Sequence, residues 1–198
     1  MKRWFKALVG GVLICLVISL CGFAGNCAAV RDNVVRVHIL ANSDSEADQA
    51  LKLNVRDAVT AAGAGLLDGV TDRDEAEQRL RQALPELTAV AQQCVYDQGF
   101  SYPVKAELTT MYFTTRTYDS GTFPAGQYHT VRFTIGEAKG HNWWCVMYPP
   151  LCVSAATDKQ SLSDVLPEEA CDIIEEAPRY AVRFKIVEWI EAVANWFS

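Results

Sequence analysis

The sequence has only three histidines and lacks the short motifs of the commonest catalytic sites. It contains no glycine-rich phosphate loop, no Gly-x-Ser-x-Gly turn for a serine nucleophile and no His-Glu-x-x-His zinc motif. His141, Cys145 and Cys152 could supply a thiol nucleophile or part of a metal site, but their spacing matches no such motif and no fourth ligand is evident. The sequence therefore favours a protein that is not an enzyme and that uses no metal or cofactor.

The sequence also lacks a surplus of basic residues. Its formal net charge is −6, and residues 1–29 hold three of the 18 basic residues but none of the 24 acidic ones. The rest of the chain therefore has a net charge of −9. Nucleic-acid binding and attachment to anionic lipid through a polybasic patch both need a basic surface, so this charge argues against either function.

The N-terminus has the pattern of an export signal. Lys2, Arg3 and Lys6 precede residues 7–24, which carry no charge. A helix of that length spans about 27 Å, just short of the hydrocarbon core of a bilayer. Because residues 22–24 and 27–29 each resemble a small-residue cleavage site, residues 1–29 are either a cleaved signal peptide or a retained membrane anchor. In both cases the rest of the chain lies outside the cytoplasm.

Four cysteines lie outside this leader, namely Cys94, Cys145, Cys152 and Cys171. They allow three sets of disulfide pairs, and an exported domain permits such bonds. We favour a bond between Cys145 and Cys152, which flank a Pro-Pro turn at residues 149–150. Buried, reduced thiols are the alternative, because a domain of this size does not need disulfides to fold.

Alternation of apolar and polar residues predicts four strands, at residues 34–40, 104–113, 128–135 and 143–147. The short stretch 136–140 predicts a hairpin that joins the last two strands. We therefore expect an α+β fold in which a small antiparallel sheet is covered by helices on one side.

Helical spacing of apolar residues predicts the covering helices. The first begins at Ser43, with a capping box to Glu46, and the second begins near residue 71. Pro85 is expected to break the second helix and to start a third.

We expect a domain at residues 30–153, an acidic and largely irregular connection at 154–178, and an amphipathic C-terminal helix at 179–198. The connection at residues 114–127 is expected to be a polar loop.

Residues 140–152 contain two adjacent tryptophans, two prolines and two cysteines, none of which an ordinary strand requires. Successive strand residues point to opposite sides, so only one of Trp143 and Trp144 can face the core. Aromatic and arginine side chains are enriched where proteins bind each other, and a Pro-Pro turn orders the backbone in advance. We expect residues 136–152 and 38–48 to contact a protein partner. The candidate partner-binding residues are His38, Asn42, Asp44, Arg116, Tyr118, Trp143, Trp144, Tyr148, Pro149 and Pro150.

Three blocks of sequence resemble the stage II sporulation protein R family of endospore-forming bacteria. They lie at residues 140–152, at residues 38–59, and at residues 115–118 followed by 124–128. The resemblance implies a signalling protein exported from the forespore into the space between the two sporulation membranes. It also implies a partner, the membrane-embedded aspartic protease of the mother cell called stage II sporulation protein GA. The implied role is activation of that protease, which removes the pro-sequence of the sigma-E precursor.

Two other classes of function stay open. An exported hydrolase or wall-modifying enzyme could use a cysteine, or Asp44 and Asp48 if one helix face presents both carboxylates. Acidic residues are also favoured at a helix start by the helix dipole, which is the simpler explanation of this pair. A structural interaction domain without signalling activity is the third possibility.

Overall fold

The computed structural model describes residues 2–118, 121–150 and 162–197. The predicted α+β fold is confirmed, with helices and strands in mixed order. The elements are α1 (Lys2–Asp32), β1 (Val35–Leu40), α2 (Glu46–Leu66), α3 (Arg73–Asp97), β2 (Val104–Phe113), β3 (Arg116–Tyr118), β4 (Gly121–Phe123), β5 (Gly126–Ile135), β6 (Asn142–Tyr148), α4 (Glu168–Glu175) and α5 (Ala177–Phe197). A short 3-10 helix at Leu162–Asp164 precedes α4.

The chain divides into two compact units. The first unit contains Met1–Arg31, Phe113–Gly126 and Leu166–Ser198, and the second contains Asp32–Tyr112 and Gln127–Val165. The first unit therefore holds α1, the β3–β4 pair, α4 and α5. The second holds β1, α2, α3, β6 and nearly all of β2 and β5.

A four-stranded sheet with the order β2-β5-β1-β6 forms the centre of the second unit. β1 runs parallel to β5 and antiparallel to β6. The sheet is therefore mixed and not antiparallel throughout. The hairpin expected at residues 136–140 is wrong, because β1 lies between the two strands expected to pair. β1 is buried on both faces from Val35 to Ile39, which is typical of a central strand with hydrogen-bonding neighbours on both sides.

Helices α2 and α3 pack on each other and on the sheet of the second unit. Apolar residues at helical spacing on both helices are fully or nearly fully buried, and they include Leu51, Val55, Val59, Leu80, Leu87, Ala91 and Val95. The N-cap of α2 is Ser45, whose hydroxyl accepts a hydrogen bond from the backbone N–H of Asp48. The expected cap at Ser43 is wrong, because the Ser43 hydroxyl donates instead to the Asp48 carboxylate.

Helix α3 continues through Pro85, so the expected break at this residue is wrong. Pro85 is exposed, while Leu80 and Leu87 on either side of it are fully buried. A proline inside a helix removes one backbone hydrogen bond and strains the preceding turn. The apolar contacts on both sides of Pro85 therefore outweigh a local signal that would end an isolated helix.

The first unit contains more regular structure than the largely irregular connections that the sequence predicted. Residues expected to form a polar loop pair as β3 and β4, with Arg116 opposite Phe123. Part of the acidic connection forms α4. In α5, Trp189 is 70% and Trp196 81% exposed, whereas Phe184 and Val187 are buried. Helical spacing alone does not specify which of two apolar stripes on α5 meets a neighbouring element.

By length and composition, α1 could cross a membrane; most of its apolar residues before Ser19 are exposed. This finding fits either a signal peptide or an anchor.

Replacement of Pro85 by alanine tests the account of α3. We expect Pro85→Ala to raise the free energy of unfolding by about 1–2 kcal/mol, because it restores a helix hydrogen bond while slightly increasing the entropy of the unfolded chain. Urea denaturation of the full chain in detergent measures this change. Glu86→Ala, at the exposed neighbouring position, is the control and should change stability by less than about 0.5 kcal/mol. A loss of stability in Pro85→Ala would contradict the account.

Candidate partner-binding surface

Two sequence blocks expected to contact a partner meet along the β1–β6 pair. His38 lies opposite Trp144, and Leu40 lies opposite Asn142. This register brings the loop that follows β1 next to the turn that precedes β6. We call residues 41–45 and 136–144, together with His38, the β1–β6 surface.

Backbone hydrogen bonds fasten the two loops of the β1–β6 surface to each other. The N–H of Lys139 donates to the carbonyl of Asn42 at 3.1 Å, and the N–H of Gly140 donates to the carbonyl of Ala41 at 3.0 Å. The side-chain oxygen of Asn42 accepts a hydrogen bond from the N–H of Glu137 at 2.9 Å. Asn42 therefore positions the turn, whether or not it also contacts a partner.

Asp44 and His141 form an exposed pair at the rim of the surface. The backbone N–H of His141 donates to a carboxylate oxygen of Asp44 at 2.6 Å, and the His141 ring nitrogen Nδ1 contacts the same oxygen. The ammonium group of Lys52 donates to the carbonyl of His141 at 3.0 Å. Because the side chains of Asp44 and His141 are both mostly exposed, water competes for this contact. The pair therefore fixes the position of the loop more than it stabilises the fold.

Asp48 is buried beneath the loop and has a structural role. Its carboxylate accepts hydrogen bonds from the side-chain amide of Asn42 at 2.8 Å and from the hydroxyl of Ser43. Burial alone would raise the pKa of this carboxyl, but the hydrogen bonds from Ser43 and Asn42 outweigh burial and lower the pKa. Asp44 lies before α2 and has its own partners, so the two carboxylates do not share one helix face.

Glycines allow the close approach of the two loops. A Cβ atom on Gly140 would lie 2.2 Å from the carbonyl oxygen of Ser43, and one on Gly136 would lie 2.3 Å from the side-chain oxygen of Asn42. Gly136 also has a φ of +57°, which non-glycine residues rarely adopt. The turn before β6 can therefore sit against residues 41–43 only with glycine at these positions.

His38 stacks on Trp144, with the ring centroids 3.9 Å apart and the planes 10° from parallel. His38 is buried, and neither of its ring nitrogens has a hydrogen-bond partner within the described ranges. Burial lowers the pKa of His38 to about 4, an effect larger than the opposing influence of the nearby Asn142 side chain. The ring is therefore neutral at physiological pH and supports Trp144 as an aromatic platform.

Trp143 points to the opposite side of β6 from Trp144, as strand alternation requires. The guanidinium carbon of Arg56, on α2, lies 4.6 Å from the centre of the Trp143 ring. Such a contact favours a cation over the ring face. Both tryptophans are half-buried, so each has a fixed position and still presents part of its ring to solvent.

Other candidate residues lie away from the exposed part of this surface. Tyr148 is fully buried, and its hydroxyl donates to the carbonyl of Val70 at 3.5 Å. Pro149 follows a cis peptide bond and is buried, and Pro150 is half-buried. Tyr148 and Pro149 therefore belong to the core of the second unit.

Arg116 and Tyr118 belong to the first unit, on β3. The Tyr118 ring meets the edge of Phe123 with the ring centroids 5.9 Å apart.

Cys145 is disulfide-bonded. Cys152 lies outside the described residues, so its pairing with Cys145 stays a prediction.

The sequence did not identify residues that support the β1–β6 surface through contacts with residues far away in the chain. Lys52, Arg56 and His141 were not named as partner-binding candidates. Arg56 nevertheless borders Trp143, and Lys52 and His141 hold the Asp44 loop. The signal in the sequence was that Asp44 and His141 each lie in a block that carries the family resemblance. Within the ranges that the structure describes, no group of three or more histidines, cysteines or acids could hold a metal ion.

Residues 31–158 match the family described as Stage II sporulation protein R. The chain is also 31% identical to Stage II sporulation protein R of Bacillus subtilis (strain 168), over 81% of each chain. The chain belongs to the stage II sporulation protein R family. No solved structure matches it. The family match contains the whole β1–β6 surface and, at its ends, excludes most of α1 and all of α4 and α5.

Membership of this family gives the protein a role in sporulation. The geometry of the β1–β6 surface suits protein binding better than catalysis. Half-buried aromatic rings surrounded by polar, exposed side chains are the usual composition of a protein–protein contact. The hydrogen-bonded loops hold this surface in one conformation before any partner arrives, which lowers the entropy lost on binding.

Replacement of Gly140 tests the close contact between the loops. We expect Gly140→Ala to lower the free energy of unfolding by about 1–3 kcal/mol, because the added methyl group pushes the turn away from the Ser43 carbonyl. Urea denaturation measures the loss. Gly65→Ala, within α2, is the matched control: no atom lies within 4 Å of the added methyl group, so stability should stay equal or rise. Equal effects of the two replacements would contradict the contact.

The buried, neutral state of His38 predicts a pH dependence of stability. Its pKa is about 4 when folded and near 6.5 when unfolded, so the unfolded chain binds more protons between these values. The contribution of His38 is therefore complete above pH 6.5 and is lost as the pH falls towards 4. Between pH 7 and pH 5, the unmodified protein should lose about 2 kcal/mol more than His38→Phe, which keeps an aromatic stack without titrating. An equal loss of unfolding free energy in the two proteins between pH 7 and pH 5 would contradict the lowered pKa of His38.

Proposed function

We propose that this protein is an exported sporulation signal that activates stage II sporulation protein GA, the membrane-embedded aspartic protease of the mother cell. Activation of the protease would start processing of the sigma-E precursor. Family membership over residues 31–158 carries this proposal. The apolar α1 supports it, because such a helix suits export as either a signal or an anchor.

An activator of this kind works by shifting a population between two states of its receptor. It must bind the active protease more tightly than the inactive one, because equal binding to both states shifts nothing. A 100-fold preference corresponds to about 2.7 kcal/mol of differential binding. A few well-ordered side chains are enough to supply this difference.

The β1–β6 surface is the part of the chain that we assign to this binding. Trp144 would supply the central apolar contact, and the exposed side chains of Asp44, Glu137 and Lys139 would supply a polar rim. Truncation of a central aromatic residue commonly costs about 2 kcal/mol or more of binding free energy, whereas rim contacts contribute less. Trp144 should therefore dominate affinity, while the rim charges set orientation and rate. Trp143, on the opposite side of β6 under Arg56, would hold the strand in place.

Three of the groups that a hydrolase could use, Cys145, Asp44 and Asp48, have other roles in this structure. Cys145 is disulfide-bonded and is therefore not a free thiolate nucleophile. Asp44 pairs with His141, and Asp48 is buried among hydrogen-bond donors from its own loop. These contacts support the activator over the enzyme. The two functions also differ in stoichiometry, because a ligand saturates its receptor whereas an enzyme turns over.

Reconstitution tests the proposal. This chain, the membrane protease and the sigma-E precursor are produced together in a bacterium that does not sporulate, and cleavage of the precursor is scored by immunoblot. We expect cleavage only when all three proteins are present. The response should saturate as this protein is increased at a fixed amount of protease. Absence of cleavage, with all three proteins produced and this one exported, would contradict the proposed function.

Replacement of Trp144 tests the assigned surface in the same assay. We expect Trp144→Ala to reduce precursor cleavage at least tenfold at equal protein level, because the central aromatic contact is lost. Tyr96→Ala is the matched control, since Tyr96 is 55% exposed on α3 of the same unit. Thermal melting of both variants shows whether the fold is kept. Normal cleavage with a stably folded Trp144→Ala would remove this surface from the proposal.

A charge exchange gives a second test that leaves the fold alone. Lys139 and Glu137 are both exposed, and their charged groups lie 2.8 Å apart. Exchanging the two residues in a double variant keeps the ion pair within the turn and reverses the charges that a partner meets. We expect cleavage of the sigma-E precursor to be several-fold slower with the double variant, because rim charges mainly affect the rate of association. Its thermal stability should be unchanged.

A further inference from the structure

Helix α1 is one continuous helix with two different surroundings. Its apolar residues up to Ile18 are mostly exposed; Trp4 is 84% and Ile18 66% exposed. Its last turns are buried instead, with Phe23 at 3% and both Cys27 and Val30 at 0% exposure. The spacing of these three residues places them on one face of the helix. The end of the predicted leader is therefore part of a folded core.

Helix α5 covers this buried face within the first unit. The ring of Phe23 meets the edge of Phe184, with the centroids 5.1 Å apart, and stacks on Tyr180 at 5.6 Å. Phe184 is itself 3% exposed. Aromatic pairs at these distances and angles belong to well-packed interiors. Removal of Phe23 would leave the two rings of α5 without their apolar neighbour.

Polar contacts hold the same end of α1. The guanidinium of Arg31 lies 3.1 Å from the Glu191 carboxylate on α5 and donates to the carbonyl of Ala125 at 3.1 Å. The Asn26 amide donates to the carbonyl of Glu169 on α4 at 3.3 Å. A Cβ atom on Gly126 would lie 2.4 Å from the Arg31 side chain. Helices α4 and α5 and the chain after β4 therefore all contact the end of α1.

Both cleavage sites that the sequence offers lie within this packed segment. Cleavage after residue 24 would remove Phe23, and cleavage after residue 29 would also remove Asn26 and Cys27. A peptide bond inside a helix is accessible to a protease only after local unfolding, and buried side chains oppose that unfolding. The fold of the first unit thus depends on residues that a signal peptidase would remove.

We propose that α1 is retained in the mature protein and anchors it in the lipid bilayer through residues 7–22, the part of its uncharged run that precedes the packed Phe23. The apolar side chains of this segment are mostly exposed and suit lipid, and Lys2, Arg3 and Lys6 keep its N-terminal end on the cytoplasmic side. The exported units then act at the membrane surface and do not diffuse freely. This inference does not require that the partner be a protease.

Intact mass measurement tests retention directly. The full chain with a C-terminal tag is produced in a bacterium, its membranes are washed with alkaline carbonate, and the tagged protein is purified in detergent. We expect a chain that begins at residue 1 or 2 and stays in the washed membranes. A soluble chain that lacks 24 or 29 residues would overturn the proposal. Failure of the protease assay would leave this result unaffected.

Labelling of Cys27 tests the packing on which retention depends. Membranes that contain the full chain are treated with a water-soluble maleimide, and modification of Cys27 is followed by peptide mass analysis. Modification should be at least tenfold slower in the native protein than after denaturation in urea. Phe184→Ala, which leaves the leader sequence unchanged, should remove most of this protection. Trp189→Ala, at a 70% exposed position on the same helix, should keep it. Equal labelling of native and denatured protein would overturn the proposal.

Discussion

The second unit depends on the position of β1 at the centre of its sheet. β1 hydrogen-bonds to β5 on one side and to β6 on the other, and its side chains from Val35 to Ile39 are buried. A one-residue shift in the β1–β6 register would turn every side chain of one strand to the opposite face. The stack of His38 on Trp144 and the meeting of the two loops both follow from this register. The central strand therefore determines the core and the candidate surface together.

Several residues at the β1–β6 surface hold the structure as well as bordering the candidate contact. Asn42 bonds the turn before β6 and also donates to Asp48, while the two glycines of that turn permit its close approach. Substitution of such residues changes stability and surface shape together. The charged groups of Glu137 and Lys139 are exposed, so substitutions there separate a binding role from a structural one more clearly.

Retention of α1 would change the physical setting of signalling. A ligand held at a membrane explores two dimensions and reaches a much higher effective concentration near a membrane-bound receptor than a ligand that diffuses away. The net charge of −9 outside residues 1–29 gives the exported units little attraction to anionic lipid by themselves. Attachment would therefore rest on the apolar helix and on its contacts with Tyr180, Phe184 and Glu191.

Local periodicity and composition were enough to predict several features of this protein. The alternation in residues 104–113 predicted β2 with its observed bounds, and the uncharged run predicted the apolar part of α1. The sequence also identified Trp143 and Trp144 as unusual. The strand order, the continuity of α3 through Pro85 and the burial of the end of α1 against α5 depend on long-range packing, and local patterns did not predict them. These features arise between residues far apart in the chain, such as Asp44 and His141, which are separated by 97 positions. Local patterns record which side of an element is apolar, whereas the identity of its neighbour is decided by packing of the whole chain.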